Sequence, residues 1–183
     1  MSRDNHVGFP INLADSAVLL SDTAQTVAGV KTFTGDNIHS GANNVTGTLA
    51  YKQLTETVAA TNVIAATESG SVFFLSHATE FVSTLPAPAA GLHFTFIVAN
   101  APETASYTIV TTSSSNIILG QVYTLDVNSA TDPDFETSGG DTITFVDSKA
   151  VVGDRVDVFC DGTNWFAYGF CSVFDAITIT TAS

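Results

Sequence analysis

Four histidines, two cysteines and one crowded run of acids are the residues of this chain whose types could carry chemistry. The histidines are His6, His39, His77 and His93, and no two of them share a metal-ligand spacing. His77 and His93 fall in or beside expected strands and read as surface or hydrogen-bonded side chains. Cys160 and Cys171 have no histidine near them in sequence. Two cysteines also fall far short of a disulfide framework. Asp132, Asp134, Glu136 and Asp141 crowd one stretch. Alternating acids can supply oxygens to Ca²⁺, but an EF-hand places its ligands and its glycine at fixed positions that this spacing lacks. A solvated acidic loop is the favoured reading. The segment 35–44, GDNIHSGANN, is glycine-rich but lacks the lysine and strand–helix setting of a phosphate loop. No G-x-S-x-G elbow occurs. Glycoside hydrolysis needs two carboxylates at a set separation across a groove, which spacing along a chain does not establish. The expectation is a protein without catalytic residues, metal or cofactor.

Composition narrows the partners. Of 183 residues, 45 % are hydrophobic and 13 % charged, which excludes a disordered chain. So apolar a chain has more greasy surface than a small domain hides alone, and association is the usual answer. Five basic residues stand against 18 acids, for a net charge of −13. Nucleic-acid binding needs a cationic footprint, and an anionic membrane surface asks for the same, so neither partner is expected. The first ten residues, MSRDNHVGFP, lack the apolar stretch of a signal peptide. No run of 18 apolar residues is present to span a membrane. Synthesis in a reducing cytoplasm is the expectation.

The elements that must position these residues are strands. Residues 1–50 carry single apolar residues among Asp, Asn, Gly, Ser and Thr, and such thin segments bury no core of their own. They are expected to form an extended arm. Residues 51–70 read as a connector, with a short helix over 54–66. From 71 to 183 short, β-branched, aromatic runs alternate with turn residues, which predicts an all-β, antiparallel, jelly-roll-like sandwich. Strands are expected near 72–76, 79–84, 92–99, 106–112, 116–119, 121–127, 141–147, 150–160, 164–171 and 175–181. Pro86 and Pro88 cannot donate to a ladder and make 85–91 a loop. The stretch 129–141 is read as a long irregular loop.

One hairpin can be drawn residue by residue. RVDVFC and WFAYGFC flank Asp161-Gly162, a tight-turn signal. With the tip at Gly162-Thr163, Cys160 opposes Trp165, Val158 opposes Ala167 and Val156 opposes Gly169. On the other face Phe159 opposes Phe166, Asp157 opposes Tyr168 and Arg155 opposes Phe170. Side chains alternate between faces, so both faces are largely apolar. One fills a core, and the other is expected to meet a sister subunit. Trp165 would offer a stacking face to a sugar, but its place opposite Cys160 in an apolar strand favours the core. The register also sets Cys160 and Cys171 far beyond bridging distance, predicting free thiols.

Two segments carry a resemblance. AQTVAGVKTFTG at 24–35 resembles the QT-aliphatic-x-G-x-K-T-F element of tailed-phage fibres, matched here by Gln25, Thr26, Val27, Gly29, Lys31, Thr32 and Phe33. LPAPAAGLHFTFIVAN at 85–100, the stretch 143–169 and AITIT at 176–180 resemble small marine-phage and cyanophage structural proteins of the fibre, tail or capsid-decoration kind. The resemblance implies a homotrimer on the virion surface, made in the host cytoplasm. It implies attachment to the major capsid protein or another virion protein through Gln25, Val27, Val30, Lys31 and Phe33. It further implies trimer or core packing by Phe159, Trp165, Phe166, Tyr168 and Phe170. The His-x-His motif with which some phage fibres hold a metal is missing. One copy of the fibre element and no repeated shaft favour a capsid decoration protein or short head fibre. A tail fibre or adhesin that binds a host surface glycan is the alternative.

Overall fold

The computed structural model describes residues 52–77, 79–125 and 135–181. They are almost entirely β: twelve strands and two short 3-10 turns, with no α-helix among the described residues. Residues 1–50, expected to form an arm, and the acids Asp132 and Asp134 lie outside them.

Alternation builds the strands. In β3 (Val72–Leu75), β4 (Phe81–Thr84) and β5 (His93–Val98), every second side chain is buried. β1 (Thr55–Val58) turns only Val58 inward, and β2 (Asn62–Val63) is two residues long. With β6 (Tyr107–Val110) these six strands form a coil. β1, β3 and β5 lie parallel in one sheet, and β2, β4 and β6 lie parallel in the other. Parallel neighbours need a crossover connection, and here each crossover is a strand of the opposite sheet.

The remainder closes both sheets. β7 (Ile118–Thr124) and β8 (Phe135–Gly140) join the first sheet, and β9 (Thr142–Phe145) crosses to the second. The hairpin of β10 (Arg155–Cys160) and β11 (Trp165–Cys171) takes the middle of the first sheet, and β12 (Ile177–Thr180) ends the second. The seven-stranded order is β1-β3-β5-β10-β11-β7-β8, and the five-stranded order is β12-β9-β6-β4-β2.

One apolar core lies between the sheets. Phe73 stacks on Phe96 with ring centres 5.2 Å apart, and Phe81 stacks on Tyr107 at 4.4 Å. Tyr107 is fully buried, and its hydroxyl is satisfied by the backbone of His77 and the carbonyl of Asn100. Buried Asp154 accepts the amides of Val151 and Ser172, each at 2.9 Å, and so ties the base of the hairpin to the turn before it.

The all-β expectation holds, and four parts of the reading are corrected. The sheets are mixed rather than antiparallel, because most successive strands change sheet instead of folding back as hairpins. The loop 85–91, for instance, leads from β4 in one sheet to β5 in the other. The helix expected over 54–66 is replaced by β1 and β2, and only a 3-10 turn at Ala66–Glu68 follows. The loop expected over 129–141 contains β8, and the strands expected at 116–119 and 121–127 are the single strand β7.

Candidate interaction face

The hairpin has the register read from its sequence: Cys160 faces Trp165, Phe159 faces Phe166 and Arg155 faces Phe170. Gly162 adopts φ +106°, a left-handed conformation that suits glycine. The Asp161 carboxylate accepts the amides of Thr163 and Asn164, both at 2.7 Å. Those bonds, the Asn164 amide first, hold its pKa below the usual 3.8.

Inward from the hairpin lies the core. Trp165 is fully buried, 5.9 Å from the Phe94 ring, and so is not a sugar platform. Cys160 and Cys171 are buried free thiols, as expected. Burial above all pushes the Cys171 thiol up, so it stays protonated at neutral pH.

The outward face is different. Phe159 (48 % exposed), Tyr168 (43 %) and Phe170 (50 %) stand on it beside half-buried Phe166, and Tyr123 of β7 (45 %) joins them. Tyr123 stacks on Phe170 at 5.6 Å, Phe159 meets Tyr168 edge-on at 6.4 Å, and His93 of β5 stacks on Phe159 at 6.1 Å. A strip of rings thus runs across β5, β10, β11 and β7. At the Phe170 end it continues to Leu125, 78 % exposed. At the His93 end it borders a depression of about 260 Å³ lined also by Lys52, Gln53 and Ser69.

Between the rings sits one ion pair. Arg155 Nε donates to Asp157 Oδ2 at 3.1 Å, and its Nη2 reaches the same oxygen. Thr95 Oγ1 donates to the other Asp157 oxygen at 2.7 Å. Both carboxylate oxygens are therefore occupied from within the face.

Of the residues singled out from the sequence, Phe159, Phe166, Tyr168 and Phe170 come together on this face, while Trp165 lies beneath it. Gln25, Val27, Val30, Lys31 and Phe33 lie outside the described residues. Among the described residues, no three His, Cys, Asp or Glu side chains converge as a metal site would require. His77 is engaged locally with Thr79, and Asp141 is buried and accepts the Thr142 hydroxyl at 2.8 Å. The reading from sequence missed Tyr123 and His93. Alternation marks them as outward within their own strands, but their neighbours in the sheet come from distant segments. No family model, curated protein or solved structure matches the chain.

Proposed function

We propose that this chain is a non-enzymatic structural protein of a tailed-phage virion, a homotrimeric capsid decoration protein or short head fibre. The observation that carries this reading is the aromatic outward face. Exposed rings gathered on one sheet face are a surface for binding rather than turnover, since monomeric proteins rarely leave such patches open. The fibre-like element at 24–35 and the marine-phage resemblance of the β domain supply the virion context. Residues 1–50 serve as the attachment arm on the major capsid protein or another virion protein. Three arms on one trimer engage together, so weak single contacts become tight through effective concentration.

The test is a virion reconstruction combined with an arm deletion. High copy number on the shell is expected, with few copies at the tail pointing instead to a receptor-binding fibre. A chain lacking residues 1–35 is expected to remain a soluble trimer that no longer binds particles. Particle decoration by that truncated chain would remove the arm from the account.

A further inference from the structure

The outward face of the seven-stranded sheet sets an electrostatic puzzle. The chain carries a net charge of −13, so copies repel one another on average. Yet at the centre of this face, on β5, β10 and β11, the charged side chains are Arg155 and Asp157, and they neutralise each other. An ion pair is normally a poor thing to bury, because desolvation offsets the attraction unless the remaining lone pairs are satisfied. Here they are: Arg155 takes one carboxylate oxygen and Thr95 the other. Asp157 is already 86 % covered at its side chain, which is 14 % exposed, while Arg155 is 49 % exposed. The costly part of burying the acid has therefore been met within the single chain. Two of the flanking rings are already paired within the chain, Phe159 stacking on His93 and Phe170 on Tyr123, which lowers the side-chain ordering that contact would cost.

We propose that this face, centred on Arg155–Asp157 and flanked by Phe159, Tyr168, Phe170 and Tyr123, is the surface through which copies of this chain meet. A second copy fits better than a charged partner, because the face has no net charge to offer at its centre. It also fits because the centre of the face is neutral on a chain of net charge −13, so two such centres meet without adding local repulsion. The inference rests on the self-association in the proposed function and adds to the hairpin face the contributions of β5 and β7 and the role of the ion pair.

The test uses the full chain and reads its oligomeric state by sedimentation equilibrium at 50 and 500 mM salt. Assembly tightens with salt, because screening relieves the general repulsion and leaves an apolar contact intact. Assembly that weakens with salt overturns the neutral-centre account. Tyr168→Ser with Phe170→Ser weakens association at least about tenfold, since buried aromatic anchors dominate interfaces. Arg155→Ala does so by about tenfold, because it leaves Asp157 to be buried without its cation. Arg155→Met with Asp157→Asn recovers assembly to within about threefold of the parent, as an uncharged pair of similar size does in buried sites. Circular dichroism checks that each variant is folded, and Arg155→Ala keeps the test open should the serine variant unfold. Face variants that assemble like the parent place the contact elsewhere and sink this inference while leaving self-association standing. A parent chain that is monomeric at both salts sinks the proposed trimer as well. A monomer whose face variants lose binding on a glycan array gives the surface to a sugar instead.

Discussion

The coil of β1–β6 and the hairpin of β10–β11 are both built from short strands, yet they owe their registers to different things. The hairpin is pinned locally. Asp161 and Gly162 shape a four-residue connection, and every pair from Cys160–Trp165 to Arg155–Phe170 follows from it. In the coil no turn sets the register. Thr55 meets Val72, and Val72 meets Thr95, at unequal steps along the chain. What aligns these strands is the shared core beneath them, where Phe73 sits between Phe94 and Phe96. Turn chemistry can specify a pairing before the fold exists, whereas a coil of this kind is specified only by the completed packing.

That contrast can be broken by removing one anchor from each region. Trp165→Ala and Phe73→Ala are each expected to cost about 3–5 kcal/mol in urea unfolding. Because one core joins both regions, each variant is expected to unfold in a single transition, coincident by tryptophan-independent circular dichroism and by hydrogen exchange. A Phe73→Ala chain that loses the coil while keeping the hairpin protected would make them separate units.

A smaller effect is expected where β7 docks beside the hairpin. A β-carbon at Gly120 would lie 2.0 Å from the Ala167 carbonyl oxygen, so Gly120→Ala must push the two backbones apart. Overpacking of this kind costs about 1–3 kcal/mol. Protection from exchange is expected to fall along β7 and β11 and to persist in β3 and β5.

Two carboxylates sharpen the comparison at the low end of the scale. Asp161→Ala removes the carboxylate oxygen that accepts the Thr163 and Asn164 amides at the hairpin tip and lowers the melting temperature, whereas Asp161→Asn retains most of the stability because an amide oxygen can accept the same bonds. Since the folded pKa of Asp161 lies below 3.8, its charge contributes stability above that pH and loses it as pH falls through the lower value. Glu56 in β1 has the opposite sign. Partial burial, then the neighbouring Glu68 carboxylate, raises its pKa above 4.5. Folding thus favours the protonated acid, and stability declines as pH rises from about 4.5 through the raised value. Glu56→Gln is expected to raise the melting temperature slightly at pH 7 and to leave it unchanged at pH 3. A melting series against pH for the three variants separates these outcomes.

The same division governs what could be read in the sequence. The hairpin register, the free cysteines and the buried Trp165 were legible because a local turn signal fixes parity for every residue in both strands. β1 was not, since TETV buries a single side chain and shows no alternation to detect. β8 was hidden in a stretch dense in Ser, Gly and Asp, where the corner into β9 needs Gly139 at φ +95° and has no room for a β-carbon at Gly140. Four of the six rings on the aromatic face were visible as the outer side of the hairpin. Tyr123 and His93 were out of reach because their neighbours, Phe170 and Phe159, are set by parallel or long-range pairing.

The placement of β10 between β5 and β11 also has a consequence for synthesis. β5 completes its pairing only when Arg155–Cys160 has been made, so until then HFTFIV presents an open, apolar strand edge. Such edges recruit other chains. Chains ended at residue 150 are therefore expected to aggregate on release from the ribosome, and chains ended at 181 to remain soluble, as pelleting of the two nascent products would show. The hairpin that is easiest to read is thus the last large piece to arrive, and the coil must wait for it.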